Sequence, residues 1–440
     1  MTRPEFFLSV VDRLRGTSIR KYLAFFRETV SWSPREVRDY QLRKLQRLIS
    51  YSYTHVPFYR RRMEENNVTP DAIKTLEDLR LIPPLTRLDL QEYALDLLSD
   101  EKEELSFETA SSSGTTGIPI SYCQDLDAIS AGVAAGMLGW ELAGWNFGRR
   151  SLHIWGNPSS IRHWKKLGSR VKRMMFNQKN IAATDFNHLE NFPYIIRMIE
   201  RYQPVSIDGY TSAIYSLAKF CREHAVELPK PEHVFTTAEN LLPHHKQLIE
   251  EMLGPVSDGY GCGEINGIAA CPAGHDKYFI LEPHVVVETD DGAEAGDARD
   301  ILVTDLDNRV MPLIRYQVGD MIDSLQEGRD ELPVGFRYFT QVKGRSSDVV
   351  RLENGKTIQP LNLLGGTLFR RIGGIAKHRV TWNGRCLTFI FETESHFDLQ
   401  EAHRLISTEL QEYGAPYRIE VVRRLLPGAS GKFRYFEVVE

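Results

Sequence analysis

The chain has 440 residues, enough for two or three domains with large cores. Hydrophobic residues make up 42% and charged residues 26%, which argues against a disordered chain, and a net charge of −5 argues against broad nucleic-acid binding. The five cysteines are scattered and odd in number, which fits a reducing compartment better than a disulfide scaffold.

The N-terminal part is predicted to be helical. Phe7, Val10, Val11 and Leu14 recur at helical spacing, so residues 5–29 are predicted to form an amphipathic helix. We expect this helix to pack on its own protein, and attachment to a membrane surface is the alternative. Further helices are predicted over residues 34–68, with a turn at Val56-Pro57, and over residues 126–143.

From residue 150 onward, short apolar runs alternate with helical patterns, which is typical of an α/β sheet. The predicted strands are Leu152–Trp155, Val205–Ile207 and Val234–Thr236, and the predicted helices are 188–202, 211–226 and 243–253. Residues 278–323 change to short β-branched runs separated by Asp/Gly turns, which indicates a β-rich subdomain. The tail from about residue 346 is predicted to be a small α+β unit, with strands Ala376–Trp382, Leu387–Phe391 and Arg418–Val422 and a helix at 399–413.

The predicted fold class is therefore α/β, with a large N-terminal domain of several subdomains and a small α+β C-terminal domain. The segment from Lys343 to Asp348 is the expected boundary, because glycine and serine punctuate it. We predict domains at residues 1–343 and 344–440. No apolar run approaches the roughly 20 residues of a membrane span, and the N-terminus is too charged for a secretory signal, so the expected location is cytoplasmic.

The most informative stretch is a loop rich in hydroxyl groups and glycine. Gly114 and Gly117 let the main chain turn and approach a ligand closely, and the surrounding hydroxyls and amides make a cradle for phosphate oxygens. The loop is not a Walker loop, because no G-x-x-x-x-G-K-[ST] pattern occurs in the chain. An ordinary surface loop is the alternative. The candidate phosphate-binding residues are Ser112, Ser113, Gly114, Thr115, Thr116 and Gly117.

Five further motifs follow this loop in the sequence. Glu264 ends the glycine-rich turn that begins at Tyr260, where an acidic residue can hold Mg²⁺ beside a phosphate loop. Ala238 and Glu239 end a predicted strand, where a small residue can pack against an adenine ring. Asp320 follows a glycine turn, and a carboxylate that accepts two hydroxyls is the usual way to grip a ribose.

The last two motifs are basic. Arg345 offers a fork of donors for ribose or phosphate oxygens, and Lys432, on a glycine turn, can reach a developing phosphoryl charge. Each of the motifs alone also fits an ordinary turn or an exposed side chain. Their common order and spacing are the stronger observation.

As a set, the motifs resemble those of the adenylate-forming superfamily of acyl-CoA synthetases, adenylation domains and luciferases. Within it, the chain is most similar to phenylacetate–CoA ligases and the related CapK-like proteins of capsular-polysaccharide type. The resemblance covers about residue 40 to the end. The N-terminal segments that match this branch are Val56-Pro57-Phe58-Tyr59, Leu76-Glu77-Asp78-Leu79 and Pro83-Pro84-Leu85-Thr86-Arg87.

The resemblance implies a role for each motif. The hydroxyl-rich loop would bind the ATP phosphates, and Lys432 would bridge the substrate carboxylate and the α-phosphate. The small domain is expected to rotate about Ser346–Ser347 between two half-reactions. The other implied contacts are Ala238 and Glu239 at the adenine, Tyr260 and Gly261 at the nucleotide or acyl group, Glu264 at Mg²⁺, and Asp320 with Arg345 at the ribose.

The implied activity is ATP-dependent conversion of a carboxylic acid to an acyl-adenylate with release of pyrophosphate, followed by transfer to coenzyme A. One alternative is transfer to an amine, hydroxyl or carrier in surface-polysaccharide biosynthesis. Another is a nucleotide-binding protein that has lost catalysis. The chain departs from the family pattern at Ile118, Gly263 and Ser347, where relatives often have Lys, Thr or Ser, and an acidic hinge residue. These departures weaken the assignment of coenzyme A as acceptor.

Three further predictions concern single regions. Cys262, Cys271 and His275 have a spacing that fits zinc, with Asp307 and Asn308 as the nearest candidates for a fourth ligand, but the ligand set is incomplete and packed or free thiols are the preferred interpretation. The basic stretch at residues 162–173 is predicted to be a solvated helix face, or else to meet an acidic membrane surface or a phosphate-bearing acceptor. The side chains that could line the acid pocket, or else belong to the core, are His153, Trp155 and Tyr210.

Overall fold

The computed structural model describes residues 3–111, 120–156, 177–290, 298–328, 333, 335–345, 350–354, 356–358, 368–411, 413–426 and 433–439. Its helices are α1 (Arg3–Arg15), α2 (Ile19–Thr29), α3 (Pro34–His55), α4 (Pro57–Glu65), α5 (Arg87–Glu92), α6 (Leu126–Leu142), α7 (Phe192–Tyr202), α8 (Thr211–Glu223), α9 (Pro243–Met252), α10 (Leu368–Arg371) and α11 (Leu399–Leu410). Short 3₁₀ turns occupy Pro70–Ala72, Glu77–Leu81, Lys102–Glu104, Ala183–Asn187 and Leu189–Asn191.

In the middle of the chain the strands alternate with these helices. They are β1 (Phe107–Ser111), β2 (Ser121–Asp125), β3 (Ser151–Ile154), β4 (Gln178–Ile181), β5 (Ser206–Tyr210), β6 (His233–Thr237), β7 (Val256–Tyr260), β8 (Ala269–Cys271), β9 (Tyr278–Ile280), β10 (Val285–Thr289), β11 (Arg299–Asp305), β12 (Tyr316–Ile322), β13 (Tyr338–Phe339), β14 (Val342–Arg345), β15 (Val350–Arg351), β16 (Thr357–Ile358), β17 (Ile375–Trp382), β18 (Leu387–Thr393), β19 (Tyr417–Val422) and β20 (Phe436–Val438).

The predicted N-terminal helix is two helices, α1 and α2. The chain bends between them at Gly16, whose φ of 71° is a left-handed conformation that glycine adopts without steric cost. Leu8 and Phe26 are buried in one cluster with small residues of α6, so both helices pack on their own protein. Leu14, which the helical spacing assigned to the apolar face, is 78% exposed.

Pro57 divides the predicted helix at residues 34–68 into α3 and α4. Proline lacks the N–H group that residues in a helix interior use for hydrogen bonds. At the first position of α4 this loss has no cost, because the N–H of the first helical residue makes no bond within the helix. Helix α3 begins with a capping box, in which Ser33 and Glu36 each accept from the other's backbone N–H. The predicted turn at this proline is confirmed.

An eight-stranded sheet forms the centre of the molecule, with the strand order β13-β9-β8-β7-β6-β5-β3-β4. Strands β3 to β7 are parallel, with helices α7, α8 and α9 as connections between them, and β8, β9 and β13 extend the sheet in antiparallel fashion. All five residues of β5 are buried, as expected for a parallel strand covered on both faces. The carboxyl ends of the parallel strands meet at one edge, where open α/β sheets bind ligands.

A second, four-stranded antiparallel sheet has the order β10-β11-β12-β14 and corresponds to the β-rich subdomain expected at residues 278–323. Its outer strand β14 ends at Arg345, which lies opposite Asp320 of β12. Strands β1 and β2 form a separate hairpin in which Ser111 pairs with Ser121. The predicted phosphate loop is therefore the connection between these two strands.

The C-terminal residues form a separate four-stranded sheet with the order β19-β18-β17-β20. This sheet and α11 share their own hydrophobic cluster, which includes Phe389, Phe391, Leu405 and Ile406. The predicted strands and helix of this unit are confirmed, and β20 adds a parallel strand beside β17. Together with the first sheets, this gives the predicted α/β fold of several subdomains. In the described parts of the chain, no helix has the length and apolar character needed to cross a membrane.

Candidate active site

The carboxyl ends of β6 and β7, with the loops that follow them, lie at one edge of the parallel sheet and contain four predicted ligand-binding residues: Ala238, Glu239, Tyr260 and Gly261. Ala238 directly follows β6 and has a φ of 67°, which is unusual for a residue with a side chain. A strained backbone conformation persists only where the surrounding structure holds it in place, and such residues are concentrated at functional sites. The structure around Ala238 therefore holds the predicted adenine-binding loop in one conformation.

Asp320 is held by two neighbours at this edge. The hydroxyl of Tyr260 donates to Asp320 Oδ2 at 2.9 Å, and Arg345 Nε lies 3.5 Å from Oδ1. Burial raises the pKa of Asp320, while Arg345 and the Tyr260 hydroxyl act in the opposite direction. Burial also raises the pKa of Tyr260, with the Asp320 charge adding to the shift, so this phenol stays a hydrogen-bond donor. The structure thus brings together three residues that the sequence motifs singled out.

Glu264 lies in the loop after β7 and is only 4% exposed. Its Oε1 has no hydrogen-bond partner among the described residues, and the nearest cationic atom, Arg87 Nη1, is 3.9 Å away. The amide of Gln124 donates to the Glu264 backbone oxygen at 3.0 Å, which ties this loop to β2, the strand that follows the hydroxyl-rich loop. A buried carboxylate oxygen without a partner fits a hard cation such as Mg²⁺.

Tyr122 is the residue that the sequence analysis missed at this site. It is 7% exposed, and its hydroxyl lies 3.1 Å from the point where a Cβ on Gly263 would stand. Gly263 therefore leaves room for a hydroxyl supplied by another strand. Burial raises the pKa of Tyr122 to about 12, with the charges of Glu264 and Cys262 contributing. Its position three residues after the loop at 112–119 is a weak sequence signal; Arg87 was noticed only as part of a motif.

The zinc prediction is not supported by the geometry. Cys262 Sγ accepts from the backbone N–H of Ile265 at 3.3 Å, and Cys271 Sγ faces the backbone oxygen of His275 at 3.5 Å. In the described ranges, Cys262, Cys271 and His275 do not form a group whose ligand atoms lie within coordinating distance of one another. Burial raises the pKa of Cys271 to about 12, as expected for a packed thiol. The preferred interpretation, packed thiols, therefore describes these cysteines.

Among the described residues, one group of three metal-ligand side chains has ligand atoms within 4.8 Å: His284, Asp305 and Asp307. His284 Nδ1 lies 3.0 Å from Asp307 and Nε2 lies 3.1 Å from the Asn266 oxygen, so both nitrogens face acceptors. Burial opposes a charge on His284, but Asp305 and Asp307 raise its pKa. Lys44 also pairs with Asp307. The Lys44 ammonium, the His284 imidazole and two carboxylates therefore make a buried polar network here.

Three aromatic rings lie at the carboxyl ends of β3 and β5, where the acid pocket was predicted. Trp155 packs against Tyr210 with ring centroids 4.5 Å apart and against His153 at 5.6 Å. His153 Nδ1 is paired with the buried carboxylate of Asp208, the residue opposite it on the neighbouring strand. The structure brings together the three predicted pocket residues and adds Asp208.

Several predicted residues lie outside the described part of the chain. They are Ser112, Ser113, Gly114, Thr115, Thr116 and Gly117 of the phosphate loop with Ile118, the hinge residues Ser346 and Ser347, the basic stretch at 162–173, and Lys432. Phe433, which follows Lys432, is described, and its backbone nitrogen lies 2.8 Å from Glu239 Oε1. The chain next to Lys432 therefore lies at the same edge of the sheet.

Comparisons with known proteins agree with this geometry, although no protein-family model matches the chain. Protein CapK of Staphylococcus aureus is 24% identical over 333 residues, which cover 74% of this chain and 71% of that protein. Phenylacetate-coenzyme A ligases are 28% identical over 346 residues in Thermus thermophilus and 26% over 335 residues in Escherichia coli, with 72% of each chain covered in both cases.

Solved structures show the fold. The 2-hydroxyisobutyryl-CoA ligase in its postadenylation state, in complex with 2-HIB-AMP, aligns with a TM-score of 0.73 at 21% identity and covers 94% of this chain and 92% of that chain. In its thioesterification state the TM-score is 0.60 at the same coverage. The anthranilate CoA ligase AuaEII aligns with a TM-score of 0.52 at 16% identity, over 74% of this chain and 65% of that chain.

The chain thus has the fold of the adenylate-forming enzymes, and its candidate site lies at the carboxyl ends of the parallel strands. Its sequence is similar to those of phenylacetate–CoA ligases and of CapK.

Proposed function

We propose that the protein is an AMP-forming carboxylate ligase, which activates a carboxylic acid with ATP and transfers the acyl group to coenzyme A. The observation that supports this most directly is the partly buried Asp320, held by Tyr260 and Arg345, together with a buried Glu264 oxygen that has no hydrogen-bond partner among the described residues. A ribose-binding carboxylate and a cation-binding carboxylate at one sheet edge suit a bound magnesium nucleotide. The activities of the named phenylacetate–CoA ligases support the same class.

Activation is needed because a carboxylate is a poor electrophile. In the first half-reaction, an oxygen of the acid forms a bond to the α-phosphorus of ATP, and the bond from that phosphorus to pyrophosphate breaks. In the second, the coenzyme A sulfur bonds to the acyl carbon, the bond to the AMP oxygen breaks, and the thiol releases its proton. Mg²⁺ would supply charge neutralisation at the phosphates when bound.

The chain's own residues have separate tasks in this scheme. Asp320 would accept hydrogen bonds from the ribose hydroxyls, and Arg345 would keep that carboxylate ionised and in place. Glu264 would hold Mg²⁺, and Lys432 would stabilise the charge that grows on the α-phosphate. The remaining nucleotide contacts would come from Ser112, Ser113, Gly114, Thr115, Thr116, Gly117, Ala238, Glu239, Tyr260 and Gly261.

The small C-terminal unit is proposed to move between the two half-reactions; of the predicted domain 344–440, the part after Arg345 would move, because Gly344 and Arg345 pair with β12 in the core sheet. Its own sheet and hydrophobic cluster support independent motion as one body. The arrangement seen here is nearer to the postadenylation state of the 2-hydroxyisobutyryl-CoA ligase than to its thioesterification state, by TM-scores of 0.73 and 0.60 at equal coverage. The contacts that now hold the unit would then have to break before thioester formation.

We place the acid at the rings of His153, Trp155 and Tyr210. These rings and the Asp208 carboxylate lie at the same sheet edge as the adenine loop, so an acid bound there would face the nucleotide. Flat rings suit a carbon skeleton, and the His153–Asp208 pair offers a polar contact. A substrate panel should therefore include aryl, aliphatic, hydroxy and amino acids.

The test is acid-dependent exchange of pyrophosphate into ATP across this panel, with and without coenzyme A. We expect exchange with one class of acid, AMP formation that depends on coenzyme A, and loss of roughly 10²-fold or more of the exchange rate in Lys432→Ala. Exchange without turnover on coenzyme A would favour an amine, hydroxyl or carrier acceptor. ATP binding without any pyrophosphate release would favour a protein that binds nucleotides without catalysis.

A further inference from the structure

Glu239 uses its two carboxylate oxygens on two different parts of the molecule. Oε2 accepts from the backbone N–H of Ser212 at 2.7 Å, and Oε1 accepts from the backbone N–H of Phe433 at 2.8 Å. We propose that Glu239 is a positioning residue, which fastens the segment next to Lys432 onto the core for the adenylation step and releases it for acyl transfer. This inference rests on the proposed function.

On the core side, Glu239 is fixed from two directions. Ser212 is the second residue of α8, whose first N–H groups have no partner within the helix, so a carboxylate there is favourable. The hydroxyl of Thr211 donates to the Glu239 backbone oxygen at 3.2 Å. The side chain thus already has its orientation before the C-terminal segment arrives, and little conformational entropy is lost on docking.

On the other side, the accepting oxygen meets the peptide group that joins Lys432 to Phe433. The Phe433 ring is buried, lies 5.3 Å from the Arg379 guanidinium and packs edge-on against Tyr435 at 4.8 Å. These contacts are within the C-terminal unit, so the Phe433 amide is presented by a folded surface. A hydrogen bond to this amide therefore fixes Phe433, the residue that follows Lys432 in the sequence, relative to the adenine loop.

The same interface has other contacts, but they lie farther along the sequence from Lys432. Lys219 of α8 pairs with Glu394 at 3.0 Å, and Tyr435 lies 3.5 Å from His245. The Glu239 bond is shorter than either, and its acceptor is a carboxylate oxygen, a type of acceptor that forms stronger hydrogen bonds than neutral oxygens do. Rotation of the C-terminal unit would break all of them, and Glu239 is the one that acts on the lysine segment.

The test is Glu239→Gln. Glutamine keeps the size of the side chain but replaces one accepting oxygen by an NH₂ group, which cannot accept from an amide N–H. We expect the acid-dependent exchange rate to fall about tenfold, as for a lost charge-assisted bond, and the KM for ATP to change by a smaller factor, because both carboxylate oxygens of Glu239 are used by backbone N–H groups. Thioester formation from added acyl-adenylate and coenzyme A should slow much less than exchange.

Two controls separate positioning from a general structural role. The first control is Glu223→Gln. Glu223 lies in α8 and its carboxylate pairs with Lys219 of the same helix, so this variant should leave both half-reactions unchanged. In the double variant Glu239→Gln/Lys432→Ala, exchange should be no slower than in Lys432→Ala alone, because Glu239 acts through the lysine.

Three outcomes would overturn the inference: equal exchange in Glu239→Gln and wild type, a parallel loss of both half-reactions with a lowered Tm, or additive losses in the double variant. Absence of exchange in the wild-type protein itself would instead refute the proposed function, so the two failures are distinguishable.

Discussion

Asp320 and Arg345 lie directly opposite each other on neighbouring antiparallel strands, with Arg345 Nε 3.5 Å from Asp320 Oδ1. The hydroxyl of Tyr260 reaches the other carboxylate oxygen from the central sheet. The carboxylate is therefore positioned by two sheets at once. This arrangement links the nucleotide site to the strand that leads into the C-terminal unit, since β14 ends at Arg345.

Replacing this carboxylate should weaken ATP recognition at the ribose. In Asp320→Asn, we expect kcat/KM for ATP to fall on the order of 10- to 100-fold, because an amide accepts weaker bonds from the hydroxyls and turns a donor toward Arg345. The preference for ATP over 2′-deoxy-ATP should also narrow. The measurement is exchange kinetics with both nucleotides. Asp290→Asn, an exposed change at the end of β10, is the control, and an unchanged nucleotide preference in Asp320→Asn would contradict the ribose assignment.

Glu264 Oε1, which has no hydrogen-bond partner in the described parts of the chain, leads to a prediction about metal dependence. In Glu264→Gln, we expect the Mg²⁺ concentration for half-maximal exchange to rise roughly tenfold or more, since a neutral amide is a poor ligand for a hard cation. Removal of divalent ions with a chelator should abolish exchange in the wild type, and Mg²⁺ should restore it. Glu200→Gln, at an exposed position of α7, should behave as wild type. A Mg²⁺ titration of Glu264→Gln that superimposes on the wild-type curve would contradict the prediction.

Tyr122 and Gly263 are predicted to act as a pair. Tyr122→Phe retains the buried ring, so Tm should change little, while the exchange rate should fall about tenfold through loss of one donor. Gly263→Ala should also slow exchange, because its methyl group would stand 3.1 Å from the Tyr122 hydroxyl.

The double variant tests the coupling. In Tyr122→Phe/Gly263→Ala, the oxygen that the methyl group would crowd is absent, so the two losses should not add. Strictly additive losses, with the Tm of each variant measured alongside, would show that the two positions act independently.

Two buried histidines at the interface with the C-terminal unit predict a pH dependence. Burial lowers the pKa of His245 well below its ordinary value and that of His378 to about 3, with the neighbouring His244 contributing to both. Tyr435 packs on both rings, at 5.6 and 5.1 Å, and Tyr215 packs on His245 at 4.0 Å. Both imidazoles are therefore neutral in the docked arrangement.

If rotation of the unit exposes these rings, the rotated state binds protons that the docked state cannot. Docking should be unaffected above the ordinary histidine pKa of about 6.5, and should weaken as the pH falls below it. We expect the adenylation rate to drop more than the rate of thioester formation between pH 7.5 and 5.5. His378→Phe should flatten this difference. Equal pH profiles for the two half-reactions would count against the exposure of these histidines during the cycle.

Local rules in the sequence predicted most elements. Pro57 and Pro243 mark the first residues of α4 and α9, and the apolar periodicity located α8, observed at Thr211–Glu223 against a prediction of 211–226. The prediction at residues 188–202 was too long, because 3₁₀ turns precede Phe192. Such errors at helix ends arise because capping contacts, not periodicity, determine where a helix starts.

In the candidate site as well, the sequence predicted some features correctly and others not. Motif order was enough to select Glu264, Asp320, Tyr260 and Arg345, because each motif is a short run of neighbouring residues. Spacing alone was misleading for Cys271 and His275, since it does not say which way a side chain points.

Only the tertiary structure revealed the partners that come from distant segments. It set the Tyr122 hydroxyl over Gly263, and it placed the Glu239 carboxylate on the Phe433 amide, 194 residues away in the chain. These pairs depend on how strands and helices pack across the sheet edge, and that packing is a property of the whole core. The sequence by itself thus determined the elements and the chemical groups, and the packing of the sheets decided which groups meet.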